Sequence, residues 1–369
     1  MFIKELAVRN FRNYTKAFFE FSPGINLIAG PNAAGKTNIL ESISVIANLR
    51  SFRNISDHEI IKWGETSYHC SLILGGVSFE KFEIGCSVFS GNIQKKAKID
   101  GIVKKKISDY YGKFLTVIFS PEDINLISGP PEARRKFIDG IISKTDAGYL
   151  DTLSDFKRIL AARNKLLRDI REKRQGRSSE LDVWDDMLAV RSSVILKKRI
   201  EFLKNYNSSF TDSGRRISGN EETPYIEYNA SLSSFEENDI LKKFHQTRDK
   251  DIITGFTGIG PHRDDFTLLY KKGILFKDCA SQGQKRTAAV SLKIAEYRFI
   301  ENQTKEKAVV LIDDIFGELD EKRKDRLMDV VKDGNQILIT AVNPDSIGTD
   351  ISDNILKYYI SPDGLVKKL

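Results

Sequence analysis

The chain has 369 residues, 58 Lys and Arg against 51 Asp and Glu, and a net charge of +7 with a pI near 9.0. Hydrophobic residues at 40% and charged residues at 30% exclude a disordered chain and allow two or three lobes around a sizeable core. No apolar run approaches a membrane span and no signal-peptide pattern opens the chain. Cys70, Cys86 and Cys279 are scattered, so a cytoplasmic, reducing setting is expected.

Residues 2–8 alternate as a strand with one exposed face, and 18–21 suggest another. Residues 25–29 read as a short buried strand, after which Ile39, Leu40, Ile43, Ile46 and Ala47 recur at helical spacing. Between strand and helix lies Gly30-Pro31-Asn32-Ala33-Ala34-Gly35-Lys36-Thr37, a fit to G-x-x-x-x-G-K-[ST]. Glycines let backbone N–H groups close around an anion, and the helix points its positive end at the same place. Lys36 is then the group that reaches the β/γ-phosphates, and the Thr37 hydroxyl a Mg²⁺ ligand. The plainer alternative is an ordinary glycine turn into a helix.

From 67 to 103 short apolar runs alternate with turn residues, and Asp100-Gly101 is a two-residue hairpin signal. This predicts an antiparallel meander beside the phosphate-loop sheet. A short buried run over 115–119 ends in Ser120-Pro121-Glu122-Asp123. Over 147–174 Leu150, Leu153, Phe156, Leu160, Leu167 and Ile170 recur at helical spacing, and a second helix carries Trp184, Leu188, Ile195 and Phe202. The two form a predicted helical hairpin, an inserted arm. Its exposed positions are expected to carry Lys157, Arg158, Arg163, Lys165, Arg168, Arg171, Lys173, Arg174 and Arg177, either a solvated face or phosphate contacts.

Residues 213–220 look like a polar break, 225–228 a strand, 235–244 an amphipathic helix, and 252–274 β-like again. There Gly260-Pro261-His262-Arg263-Asp264-Asp265 looks too polar for a core turn. Ser281-Gln282-Gly283-Gln284 opens a helix whose Ala288, Ala289, Leu292 and Ala295 face inward, with Ser281 where an N-cap stands. Residues 309–312 are a buried parallel strand ending in Asp313 and Asp314. Asp313 suits a Mg²⁺ ligand, and Asp314 a group that orients or deprotonates an attacking water. Residues 336–340 follow as the next strand, with Thr340 at its tip as a candidate γ-phosphate contact.

The order of these pieces resembles the ABC-type ATPase head. The phosphate loop corresponds to Walker A, the S-x-G-Q helix to the signature motif, the Asp-Asp strand to Walker B, and Gly317-Glu318-Leu319-Asp320 to the D-loop. Within that superfamily the chain is similar to the RecF family of bacterial recombination mediators. The resemblance rests on Asn10-Phe11-Arg12-Asn13-Tyr14, GPNAAGKTN over 30–38 with Leu40-Glu41, Ser51-Phe52-Arg53, and Phe119 to Asp123. It continues through Arg134-Arg135, Arg163-Asn164, GPHRDD, SQGQKRT and GELD, nearly end to end.

The resemblance implies an α/β fold: an ABC-type head, with a mixed P-loop sheet, helices and an antiparallel β subdomain, plus the short arm. The expected division is 1–125 for the first half of the head, 126–250 for the arm lobe and 251–369 for the second half. ATP and Mg²⁺ are the implied cofactors. Gly30, Pro31, Asn32, Ala33, Ala34, Gly35, Lys36, Thr37 and Asn38 bind the nucleotide, and Ser281, Gly283 and Gln284 reach it across a dimer. Lys36, Asp313, Asp314 and Ser281 are the implied catalytic set, and Thr37 and Asp313 the implied Mg²⁺ ligands. Implied partners are single-stranded, double-stranded and gapped DNA, a second copy on ATP, RecR- and RecO-type mediators and RecA.

Asp314 stands where transporter ATPases carry Glu, which implies slow turnover; the glutamine and histidine of the family's Q- and H-roles are missing here, which leaves both roles unassigned with Glu122 and Thr340 as the candidates. Two rivals are an ABC subunit driving a membrane partner and a scaffold in which nucleotide only steadies an interface.

Overall fold

The computed structural model describes the whole chain except residues 77–78, 90, 173–177, 272–273, 333, 344–354 and 362–365. In chain order its elements begin with strands β1 (Phe2–Phe11), β2 (Tyr14–Glu20) and β3 (Gly24–Ala29), then helices α1 (Lys36–Asn48) and α2 (Asp57–Ile60). Strands β4 (Ser67–Gly75), β5 (Glu80–Phe89), β6 (Asn92–Ile99), β7 (Ile102–Val103) and β8 (Thr116–Phe119) follow. Next come α3 (Ile124–Ser128), α4 (Pro131–Thr145), α5 (Ala147–Arg171), α6 (Leu181–Ser218), β9 (Tyr225–Asn229), α7 (Glu237–Thr254), β10 (Asp265–Lys271) and β11 (Ile274–Leu275). The rest is α8 (Phe276–Cys279), α9 (Gln282–Thr304), β12 (Val309–Ile312), α10 (Glu321–Val331), β13 (Gln336–Ala341), β14 (Leu356–Ile360) and β15 (Val366–Lys368).

The chain divides into two compact units. The first comprises 1–127, 209–223 and 280–369, the second 128–208 and 224–279. Residues 251–279, assigned by sequence to the last third, therefore pack with the middle of the chain, because β10 pairs with β9 across Asp265↔Asn229 to Leu269↔Tyr225.

The first unit holds two sheets. One is the predicted antiparallel meander, ordered β2-β1-β4-β5-β6-β7. Asp100 at φ 51° and Gly101 at φ 77° make the tight turn between β6 and β7, both in the left-handed region that a type I′ turn requires. The other sheet runs β15-β14-β3-β13-β12-β8, parallel except for β15, so β3 lies between β13 and β14. Its strands β8, β12 and β13 are buried along their whole length, the continuous apolar pattern of a sheet covered on both faces. Helix α1 lies between the two sheets. Ile39, Leu40, Ile43 and Ile46 are at most 1% exposed and share a core with Leu6, Leu72, Phe82 and Ile84. Burying each such side chain contributes roughly 1.5–3 kcal/mol. Val290 and Ile294 of α9 and Leu327 and Val331 of α10 cover the far face of the parallel sheet.

In the second unit α5 and residues 181–208 of α6 form the predicted arm and run antiparallel. Asp146 meets Lys198 at 3.1 Å, Asp155 meets Arg191 at 3.5 Å and Arg163 meets Asp185 at 2.6 Å, ascending in one helix and descending in the other. They pack in one unit with α4, α7 and the three-stranded sheet β11-β10-β9. Three sequence expectations differ from what is observed. Helix α6 runs through 213–218, because Ile217 is buried in the core, and the Ser213 hydroxyl is accommodated by bonding back to the Ser209 carbonyl at 2.6 Å. Helix α7 continues through 252–254 and stops only at Gly255, φ 78°. Arg163 is not exposed; it is fully buried, bonding Asp185 at 2.6 Å, and Asp251 and Thr257 at 2.8 Å each. Lys157, Arg158, Lys165, Arg168 and Arg171 are exposed as expected, while Lys173, Arg174 and Arg177 lie outside the described residues.

The Gly260–Asp265 stretch is a polar knot around one buried carboxylate, with His262 and Asp265 half-buried and Arg263 exposed. Asp264, fully buried, accepts from the Tyr228 hydroxyl at 2.5 Å and the Ser231 amide at 2.7 Å, beside Arg199 at 3.5 Å. The Thr257 carbonyl accepts from Arg263 and lies 3.1 Å from His262 Nε2. Burial pushes His262 down from 6.5 to about 4, with Arg263 and Arg135 adding to the effect. The imidazole is therefore neutral in the folded protein at pH 7. Stability from this site is fully present above about pH 6.5 and is lost as pH falls towards about 4, where the unfolded chain binds the extra proton. The loss should approach about 3 kcal/mol. Denaturant midpoints across that window should fall more steeply for the wild type than for His262→Gln; parallel curves would refute the assignment.

Candidate nucleotide site

The loop from β3 into α1 is shaped by its glycines. Gly30 has φ 155°, and a Cβ there would come within 2.3 Å of the Ile360 carbonyl oxygen. Gly35 has φ 108°, and a Cβ there would lie 2.5 Å from the Asn13 side chain. Gly35 is also the N-cap of α1, with no side-chain cap bond. The Asn38 amide donates to the Gly35 carbonyl at 3.0 Å, and the helix end otherwise opens onto the glycine loop, the arrangement that receives an anion. Lys36, 3% exposed, folds back to donate to the carbonyls of Gly30 at 2.9 Å and Pro31 at 3.0 Å.

The end of β12 meets this loop. Thr37 Oγ1 donates to Asp313 Oδ1 at 2.9 Å, although 276 residues separate them. Thr340 Oγ1, at the end of β13, donates to the same oxygen at 2.8 Å and accepts from the Asp314 amide at 3.0 Å. The Thr340 hydroxyl is thus committed to holding the two acids, and it is fully buried. Burial raises the Asp313 carboxyl to about 6; the bonds from Thr340 and Thr37 oppose this, while Asp314 and Glu122 add to it by repulsion. Asp314 sits at φ 49°, a strained conformation for a residue with a Cβ, of the kind that clusters at functional sites. Glu122, just after β8, has one buried carboxylate oxygen without a hydrogen-bond partner. An alcohol and a buried carboxylate on one side of a glycine loop are the hard oxygen donors that suit Mg²⁺.

Residues that local reading left without a role brace the loop from behind. Asn13 donates to the Ala34 carbonyl at 3.2 Å and accepts from Asn38 at 2.8 Å, and the Tyr14 hydroxyl donates to the Gly35 carbonyl at 3.2 Å. Arg12 grips Glu41 of α1 with two bonds of 2.8 and 2.9 Å, and Ser51 adds a third at 2.5 Å. Glu41 is fully buried, so this charge-assisted clamp fixes the second turn of α1. The signal was a charged residue at position 41 inside an otherwise apolar helix face. Arg53 lies 3.9 Å from Glu122.

Ser281, Gly283 and Gln284 form a second group at the start of α9. Ser281 Oγ accepts from the Gln284 amide at 3.3 Å, and Gln284 Oε1 accepts from the Ser281 amide at 2.8 Å, a reciprocal capping box on an exposed turn. A Cβ on Gly283 would stand 4.0 Å from Arg323, whose guanidinium meets Asp320 at 2.5 Å. Arg286 bonds Glu318 of the same turn at 3.2 Å.

Residues 2–364 match the RecF/RecN/SMC N-terminal domain model. The chain is 33% identical over all its length to the DNA replication and repair protein RecF of Listeria monocytogenes serotype 4b (strain CLIP80459), covering all of that protein. It is 39% identical to the protein of the same name from Thermoanaerobacter sp. (strain X514), over 92% of this chain and 94% of that one. Its fold superposes on the structure of the recombination mediator protein RecF-ATP in the RecFOR pathway with a TM-score of 0.89 and 35% identity, covering 100% of this chain and 97% of that one. The Smc head bound to the C-terminal winged-helix domain of ScpA shares the fold alone, at a TM-score of 0.56 and 15% identity.

Proposed function

The chain belongs to the RecF family, and we propose that it is an ATP-operated DNA-binding switch in replication and recombinational repair. The observation that carries this reading is the 2.9 Å bond between Thr37 and Asp313, which joins the phosphate loop to the acidic strand end. In this reading residues 30–38 cradle the triphosphate, and Lys36 leaves its own loop carbonyls for the β- and γ-oxygens. Thr37 and Asp313 would hold Mg²⁺, which when bound neutralises charge on the same oxygens. Asp314 orients the attacking water and accepts its proton; it is one methylene shorter than glutamate, and turnover is weak and raised by DNA. Glu122 takes the Q-role.

Ser281, Gly283 and Gln284 complete the site of a second copy, so ATP closes a homodimer and hydrolysis removes the contact that closed it. The closed form binds DNA at gaps, single- and double-stranded parts alike, and with RecO- and RecR-type mediators in the cytoplasm helps load RecA. The membrane-partner rival gains no support from relatives matched end to end, and among the described residues no helix is long and apolar enough to cross a membrane.

Ser281→Arg tests the dimer. The variant places a bulky cation on an exposed turn, leaving residues 30–37 untouched. It should bind ATP with unchanged affinity yet stay monomeric in ATP by analytical ultracentrifugation. A mutant that dimerises as the wild type does would remove Ser281 from the partner's site.

A further inference from the structure

The outer face of the antiparallel sheet carries a row with three cations, Lys16, Arg9 and Lys96, that the nucleotide site does not use. Lys16 of β2 pairs in register with Arg9 of β1, Arg9 with His69 of β4, His69 with Gly85 of β5, and Gly85 with Lys96 of β6. Directly opposed residues share a face, so these five stand side by side across about 19 Å, four strand spacings. The next row is Phe18, Ala7, Ser71, Glu83 and Lys98. The opposite face of the same strands, with Val8, Cys70 and Ile84, is buried in the core.

Three features set this strip apart from an ordinary solvated sheet face. Among the described residues Arg9, Lys16, Lys96 and Lys98 form no ion pair, whereas on the arm Arg158 pairs with Asp155 and Arg171 with Glu172. The one carboxylate in the two rows, Glu83, is already held by Lys81 at 2.9 Å and by His69 at 3.5 Å. Finally, the middle of the cationic row is hollow. A Cβ on Gly85 would meet nothing nearer than the His69 ring at 3.9 Å, and a shallow cavity of about 300 Å³ opens there, with Ser67, Ser87 and Lys96 in its walls. The row beyond holds Glu5 opposite Glu20, which bounds the positive strip on that side.

We propose that this strip seats the sugar-phosphate backbone of double-stranded DNA. The inference rests on the reading that the protein binds DNA, and it names where. A row of cations held in register by a sheet gives a rigid track for a stiff duplex, and its trough admits a projecting phosphate. Single strands are held by stacking on successive rings, and the two rows carry one exposed ring of Phe, Tyr or Trp, Phe18 at their β2 end, with none among the cations.

The test is duplex affinity as a function of salt for the wild type, the triple variant Arg9→Gln/Lys16→Gln/Lys96→Gln, and Glu83→Gln. Each lost phosphate contact flattens the slope of log affinity against log salt by about 0.9, so the triple variant should lose about 2.7. Glu83→Gln, which removes the one carboxylate of the two rows and releases Lys81, should bind duplex several-fold more tightly. Unchanged ATP affinity reports that each variant is folded; if the triple variant does not fold, Glu83→Gln carries the test alone. The proposal fails if the wild type binds duplex while its slope in the triple variant and its affinity in Glu83→Gln are unaltered. It also fails if the triple variant loses only single-strand binding. A wild type that binds no DNA at all would instead remove the reading on which the proposal rests.

Discussion

Asp313→Asn should lower ATP turnover by about 100- to 1,000-fold while leaving the protein as stable as the wild type, or more so. The catalytic loss follows from the position of Asp313. Its Oδ1 takes hydrogen bonds from Thr37 and Thr340 at the mouth of the phosphate loop, and an amide there carries no charge to set against a metal or the developing charge on the phosphates. Stability is spared because the carboxyl is 4% exposed and already pushed up to about 6, so the fold gains little from its charge. An asparagine oxygen can still accept from both threonines. Nucleotide affinity with Mg²⁺ and with EDTA should converge in the variant but differ in the wild type. Turnover within about threefold of wild type would show that Asp313 does not do this work. Because the expected mutant is folded and inactive, it also separates a switch from a scaffold: a switch that needs hydrolysis to reopen should stay dimeric and DNA-bound in ATP far longer than the wild type, whereas equal dimer lifetimes would favour the scaffold.

Arg163→Met should cost about 3–5 kcal/mol of stability, read as a fall in denaturant midpoint, although it lies far in sequence from any phosphate-binding residue. The guanidinium is fully buried, with Asp185 on Nε, Asp251 and Thr257 on Nη1, and the Phe244 ring 5.5 Å from its centre. Truncation leaves Asp251 with the Gly258 amide at 3.0 Å and no cation in place of the lost one, while Asp185 keeps Arg248. Arg163→Lys should also fail, since one ammonium cannot serve acceptors set at two corners of a planar fork. Combining Arg163→Met with Asp251→Asn should recover part of the loss. A single mutant as stable as the wild type would mean the network contributes nothing.

Arg163 also shows what local reading can and cannot see. Phe156, Leu160 and Leu167 place position 163 on the buried face by period, yet a cation there, amid other cations, reads as surface. Its partners stand 22 and 88 residues away, beyond any window. The same buried acid explains why α7 looked short. Ile240 and Phe244 establish the apolar face, and Asp251, one heptad on, interrupts it because it is there to meet Arg163. By contrast the phosphate loop, the meander and the Asp-Asp strand were legible, since each is set by residues adjacent in sequence: a glycine spacing, an Asp-Gly turn, a run of β-branched residues ending in acid. The bracing of the loop by Asn13 and Tyr14, and the Arg12–Glu41–Ser51 clamp, were visible only as motifs, because their geometry depends on which strands become neighbours. Strands β14 and β15 escaped notice; β14 is a short, half-polar segment whose strand character comes from its pairing with β3.

The place of β3 between β13 and β14 has a consequence for how the protein is made. The meander draws on residues 2–103 alone, so it has all its strands early in synthesis. The phosphate loop is translated just as early, but both strands that flank β3 come from residues 336–360, and the Gly30 backbone lies against Ile360. A nascent chain halted before residue 336 would carry the whole GPNAAGKT motif on a strand with two open edges, prone to pair with other chains and unable to grip a nucleotide. The phosphate loop thus waits on residues 336–360 for the two strands that flank β3.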